Sequence, residues 1–159
     1  MQTQSEEVET SDEVRRAVAE MVNRVRAGEK MMSIMGVDES TMGDMETQAY
    51  RLYRNRRYDQ AKVACRGVLA LDEDRPLMLL LMGDMALEEF RFSSAVTHLQ
   101  KAHRLVPDHP VIRARLGEAL VKTMQHEAAR EHLEAALGGT DGLSEVDKKR
   151  CRALLEAIA

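Results

Sequence analysis

AYRLYRNRRYDQA (Ala49 to Ala61), GDMALEEFRFSSA (Gly83 to Ala95) and GEALVKTMQHEAA (Gly117 to Ala129) are three readings of one pattern. Each segment opens on a small residue, closes on alanine, and restarts 34 residues further along. Other columns keep the same step: Tyr58, Phe92 and His126; Cys65, Leu99 and Leu133; Val68, Ala102 and Ala136. A fixed period decides architecture before any element is assigned, because each unit is too short to bury its own apolar face and must stack on the next. Small residues let the two helices of a hairpin approach closely, and larger ones fill the space where the next hairpin stacks.

The period implies an all-α fold, a tetratricopeptide-repeat solenoid of three helical hairpins over residues 42–75, 76–109 and 110–143. An N-terminal segment, 1–41, precedes them and a C-terminal capping helix, 144–159, follows. Helices are predicted at Met42 to Asn55, Tyr58 to Ala70, Leu77 to Glu89, Phe92 to Leu105, Val111 to Thr123, His126 to Leu137 and Ser144 to Ile158. Pro76 and Pro110 suit helix starts, and Pro107 suits a stop. Ser144 is a candidate N-cap for the last helix, whose stripe of Val146, Leu154, Leu155 and Ile158 would close the stack. In the N-terminal segment, Thr10 and Glu13 read as a capping box, and Val14, Val18, Met21, Val22 and Val25 share one helical face before Gly28. Met31, Met32, Ile34 and Met35 form a second apolar cluster. No alternating strand pattern occurs.

The 159 residues are 31% charged, 44% hydrophobic and 3% aromatic, enough apolar surface to fold as one compact unit. No apolar run is long enough to cross a membrane, and the polar, acidic N-terminus does not read as a secretory signal, so the expected location is the cytoplasm. Cys65 and Cys151 are far apart and have no metal-ligand spacing, so both are expected as reduced, packed thiols. A net charge of −4 argues against a nucleic-acid backbone as partner. The basic run of Arg51, Arg54, Arg56, Arg57, Lys62 and Arg66 is better explained as a solvated helix face. His126, Glu127 and His132 miss the spacing of a zinc-protease helix. There is no phosphate-cradling glycine loop and no nucleophilic serine elbow. No enzyme, metal or cofactor is expected.

What remains is a binding face. In stacked hairpins the first helix of each lines the concave side, which places Gly43, Glu46, Tyr50, Tyr53 and Arg54 from the first repeat on it. Leu77, Leu80, Asp84, Leu87 and Glu88 follow from the second, and Val111, Ala114, Glu118, Val121 and Lys122 from the third. The middle of this groove reads as apolar, and leucines facing solvent call for a ligand, unless curvature or the N-terminal segment covers them. The positions where some repeat proteins clamp acidic peptide tails hold Glu46, Tyr50, Asp84, Ala114 and Glu118, which would repel such a tail.

This layout resembles the class II type III secretion chaperones, three-repeat proteins that guard hydrophobic translocator subunits. The resemblance rests on the helix ending in Ala27-Gly28, the Met31 to Met35 segment and Val37-Asp38-Glu39-Ser40. It continues through Ala49-Tyr50, Tyr53, Tyr58 and Ala61, Leu71-Asp72, and Ala153 to Ile158. It implies a groove for an extended translocator segment, with Tyr50, Tyr53, Tyr58 and Leu71 at the family's pocket positions. The sequence departs from the family at Glu46, where an aromatic is often found, and at Arg56, where glycine is frequent. The resemblance also implies self-association through the N-terminal region, making Val18, Met21, Val22, Val25, Met31, Met32 and Met35 a candidate homodimer surface. The same residues could instead pack back onto the first repeat. The expected partners are hydrophobic translocator proteins, with no nucleic acid and no direct membrane insertion; a general repeat scaffold, or a regulator binding a transcription factor, is the alternative.

Overall fold

The computed structural model describes the backbone of residues 2–139 and 142–159, with side chains from residue 13 onward. Its elements are α1 (Gln2–Arg26), α2 (Met31–Ile34), α3 (Glu39–Arg54), α4 (Tyr58–Leu71) and α5 (Pro76–Glu88), then α6 (Phe92–Leu105), α7 (Pro110–Lys122), α8 (His126–Gly138) and α9 (Glu145–Ala157). Among the described residues there is no strand. Helices α3–α4, α5–α6 and α7–α8 are antiparallel hairpins, and α9 packs against both α7 and α8.

Local chemistry sets the helix ends. Asp38 caps α3 by accepting a hydrogen bond from Thr41 N–H at 2.7 Å, so this helix begins at Glu39, three residues before the predicted start. Pro76 and Pro110 occupy the first turns of α5 and α7, where a missing N–H is harmless. Ser144 Oγ accepts from Asp147 N–H at 3.1 Å and caps α9 as expected. Two expectations are corrected. Helix α1 runs unbroken from Gln2, so it passes through Thr10 instead of starting there; the side chain of Thr10 lies outside the described residues. Val146 is exposed rather than part of the closing stripe, whereas Leu154, Leu155 and Ile158 pack inward.

The repeat columns become packing rules. A Cβ added to Gly83 would lie 2.5 Å from Leu99 Cγ, and one added to Gly117 would lie 2.6 Å from Leu133 Cγ. In the first repeat the equivalent pair is Ala49 and Cys65, both fully buried: the side with the extra methyl faces the smaller partner. Gly83→Ala should therefore destabilise the protein by about 1–3 kcal/mol through overpacking. Gly43→Ala, where nothing lies within 4 Å, should be neutral or stabilising because alanine is the better helix former. Urea denaturation of the two variants checks this.

Each hairpin turns through one residue in the left-handed region: Arg56, Phe90 and Met124, with φ of 56°, 58° and 61°. In all three, the N–H of the left-handed residue and of the next residue reach back to carbonyls of the preceding helix, as in Arg56 to Tyr53 and Arg57 to Leu52. This is the Schellman stop, in which the left-handed position is usually glycine.

The first helices lie close to one another, α3 against α5 and α5 against α7, while the backbones of α4, α6 and α8 stay further apart. The stack is thereby curved, with α3, α5 and α7 on the inner side. The N-terminal segment is fastened to this stack at α2. Met32 is buried in the core of the first repeat, and Lys30 Nζ lies 2.9 Å from the carboxylate of buried Asp72. Arg75 joins the same carboxylate at 2.8 Å and extends to Glu39. Burial pushes the Asp72 carboxyl up, but Lys30, the Asp74 N–H and Arg75 override it and hold it below its usual range.

Candidate functional site

The inner face of α3, α5 and α7 carries the predicted groove, and its floor is more polar than its residues suggest. Tyr53 Oη donates to Asp84 Oδ2 at 3.1 Å, joining the first two repeats. Arg115 on α7 sits among three carboxylates: Asp84 Oδ1 at 3.2 Å, Asp147 Oδ1 at 2.9 Å and Glu118 Oε2 at 3.4 Å. Arg150 on α9 adds a contact to Glu118 at 3.3 Å. One guanidinium thus ties the second repeat, the third repeat and the capping helix together. Tyr53, Asp84, Arg115, Glu118 and Arg150, with Leu87, Glu88, Phe90, Phe92 and Lys122, line an open cavity of about 390 Å³.

Asp84 is the strained member of this network. Its Oδ1 is buried, and although the Arg115 guanidinium is near, no donor reaches that oxygen in hydrogen-bonding geometry. Burial pushes its carboxyl up to about 6, against the pull of Arg115 and the Tyr53 hydrogen bond. Burial and the Asp84 charge likewise push the Tyr53 phenol up. An acid whose folded pKa lies above its unfolded value binds more protons when folded, so the protein gains stability as pH falls through about 6 and holds the full gain below the unfolded value of 3.8. Acidification from pH 7 to 4.5 should therefore stabilise the wild type relative to Asp84→Asn by about 2 kcal/mol. Burial also lowers the imidazole pKa values of His98, His103 and His132, which acts in the opposite direction, but that effect is common to both proteins and cancels in the difference. Paired denaturation curves at the two pH values check it.

The predicted groove residues divide into those that reach the surface and those that do not. Leu77 is 39% exposed and Tyr50 41% exposed, the latter with the Arg54 guanidinium 5.9 Å from its ring centroid. Tyr53, Asp84 and Leu87 meet in the cavity. Leu80 is half-buried between two core clusters, and Val111 packs against the cluster under α9. Ala114 is 4% exposed and offers a ligand no surface, because α8 and α9 residues close over it. Tyr58 rests against Tyr53, ring centroids 5.9 Å apart, as part of the first repeat's core. Leu71 does not join the groove. It lines a separate hollow with Val25, Gly28, Lys30 and Met31, where α1 and α2 meet the end of α4.

Of the candidate dimer residues, Val18, Val22, Val25 and Met35 are exposed, and Met21 and Met31 are half-buried. Met32 is core, so it contributes to folding and not to an open surface. Reading the sequence missed Arg115, Phe90, Phe92, Asp147 and Arg150. A signal existed for Arg115: its column mates one and two periods earlier are Leu81 and Thr47, so a lone cation stands in an otherwise uncharged column.

Residues 86–157 match the family model described as tetratricopeptide repeat. Two solved structures share the shape. A type III secretion complex from Aeromonas hydrophila superposes with a TM-score of 0.74 at 15% identity, covering 88% of this chain and 95% of that one. The Yersinia enterocolitica type III secretion chaperone SycD, in complex with a peptide of the translocator YopD, gives 0.66 at 18% identity, covering 77% and 95%. This is the tetratricopeptide-repeat fold. Among curated proteins, the beta-barrel assembly-enhancing protease of Yersinia pestis is 33% identical over 82 residues, 52% of this chain. The chain spans only 17% of that protein's length. Within the described residues of the tetratricopeptide stack no helix is long and apolar enough to cross a membrane, and no group of three or more His, Cys, Asp or Glu side chains could hold a metal ion.

Proposed function

We propose that this chain is a cytoplasmic, non-enzymatic chaperone that binds an extended apolar segment of a type III secretion translocator along the inner face of α3, α5 and α7. The observation that carries the reading is Leu77, 39% exposed on α5 of the inner layer, with Tyr50 exposed on α3 and Leu87 lining the cavity. Apolar anchors flank a polar floor. An extended peptide suits that arrangement, because its side chains fill apolar pockets while its main chain meets hydrogen-bonding groups. The shared fold with translocator chaperones supports the same reading. A membrane-inserting client would aggregate if left free, and a groove that binds one of its segments stabilises the soluble state by mass action without a nucleotide.

The exposed stripe of Val18, Val22 and Val25 on α1 is the proposed homodimer surface. Co-expression is the test. A translocator subunit from the source organism should stay in the soluble fraction with this chain and precipitate without it. Equal precipitation in both cases would leave the chain as a general tetratricopeptide scaffold.

A further inference from the structure

Two kinds of cost coincide at the hairpin turns. The left-handed position of a Schellman stop favours glycine, and the chain uses glycine at the ends of α1 and α2, where Gly28 and Gly36 have φ of 86° and 67°. At the three hairpin turns it places Arg56, Phe90 and Met124 instead. Phe90 and Met124 are also the most exposed large apolar side chains among the described residues, at 78% and 76%. Glycine would remove both the backbone strain and the apolar exposure, so folding alone does not account for these residues.

The setting is cationic. Arg54, Arg56, Arg57 and Lys122 make no ion pair among the described residues. Asp59 and Glu89 are paired with Lys62 and Arg91, and Asp84 and Glu118, which line the cavity with Phe90 and Lys122, are paired with Arg115 and Arg150. This leaves Glu88 and Glu127 as the acids near the turns with no such partner among the described residues. Phe90 is propped edge-on by Phe92, ring centroids 6.2 Å apart.

We propose that this row of turns is a peripheral docking edge for an anionic lipid surface. Phe90 and Met124 enter the headgroup boundary while Arg54, Arg56, Arg57 and Lys122 meet lipid phosphates. The shape favours lipid over a peptide: Phe90 and Met124 sit at turn tips and project outward, and a fluid bilayer accepts protruding side chains without a complementary groove. Charge and apolar insertion together give reversible surface binding. The edge shares Phe90 and Lys122 with the cavity but does not include Leu77, and vesicle binding is measured without any client, so its outcome is independent of the groove reading.

The test is sedimentation of the full chain with mixed phosphatidylglycerol–phosphatidylcholine vesicles and with phosphatidylcholine vesicles alone. The wild type should sediment with the anionic vesicles, less so at high salt, and not with the neutral ones. The double variant Phe90→Asn and Met124→Asn should lose at least about tenfold in vesicle affinity. Its thermal melting should be unchanged or raised, because asparagine tolerates the left-handed region. Arg56→Glu with Arg57→Glu should weaken binding similarly. Absence of sedimentation with anionic vesicles, or sedimentation of the asparagine variant like wild type, would overturn the proposal. So would Phe90-dependent binding of a soluble acidic helical peptide without vesicle binding, which would assign the edge to a protein partner.

Discussion

Replacing Arg115 with methionine should cost about 3–5 kcal/mol of unfolding free energy, the scale expected when one partner is removed from a buried ionic cluster. The arginine is the cation shared by Asp84, Glu118 and Asp147, and its side chain is only 19% exposed. Without it, Asp84 keeps only the Tyr53 hydrogen bond, and Asp147 loses the contact that clamps the first turn of α9 onto α7. The loss should appear first at the C-terminus. Hydrogen exchange in α9 should accelerate more than in α4, which contributes no residue to the Arg115 network. Arg150→Met is the control: its guanidinium is half-exposed and among the described residues pairs with Glu118 alone, so it should cost less than about 1 kcal/mol. Equal costs for the two variants in urea denaturation would show that Arg115 is not the hub of the network.

Leu77→Asp should reduce affinity for the client segment by about 2 kcal/mol, roughly thirtyfold, while leaving helicity and melting temperature close to wild type. The separation of binding from folding rests on exposure. Leu77 stands on the inner face with 39% of its surface open to solvent, so a carboxylate there remains hydrated in the free protein and is desolvated only when an apolar segment covers it. Leu80 makes the contrast. It packs against two core clusters, so Leu80→Asp should lower the melting temperature and binding together. Titration of a labelled translocator segment, alongside circular dichroism melts, distinguishes the two.

The 34-residue columns were readable because they record contacts within the stack that recur in every hairpin. A glycine at 83 facing Leu99 is the same event as a glycine at 117 facing Leu133. Helix boundaries followed within a few residues wherever the chain carries its own stop or start, as at Pro76, Pro110 and Ser144. The groove was less legible. Its polar centre depends on Arg115 meeting Asp147, residues from different elements that no period relates. Leu71 is a leucine like exposed Leu77, and Ala114 stands one period after Leu80, but the first faces the α1–α2 junction and the second lies under α9. Position along a repeat places a side chain on a helix face; the capping helix and the N-terminal segment then decide whether that face remains open. The left-handed turns were hidden for a different reason. Arg56, Phe90 and Met124 are poor residues for that backbone, and nothing in their chemistry announces the conformation they are held in.

Site-specific photo-crosslinking tests the groove reading most directly. A photoreactive phenylalanine analogue at position 77, on the inner face of α5, is compared with one at position 63, exposed on α4, in the chain co-expressed with the proposed translocator client. The groove account predicts a covalent adduct from position 77, mapping to one short apolar segment of the client, and none from position 63. An adduct from position 63, or a stable complex with no adduct from 77, would contradict it and move the client off the inner face.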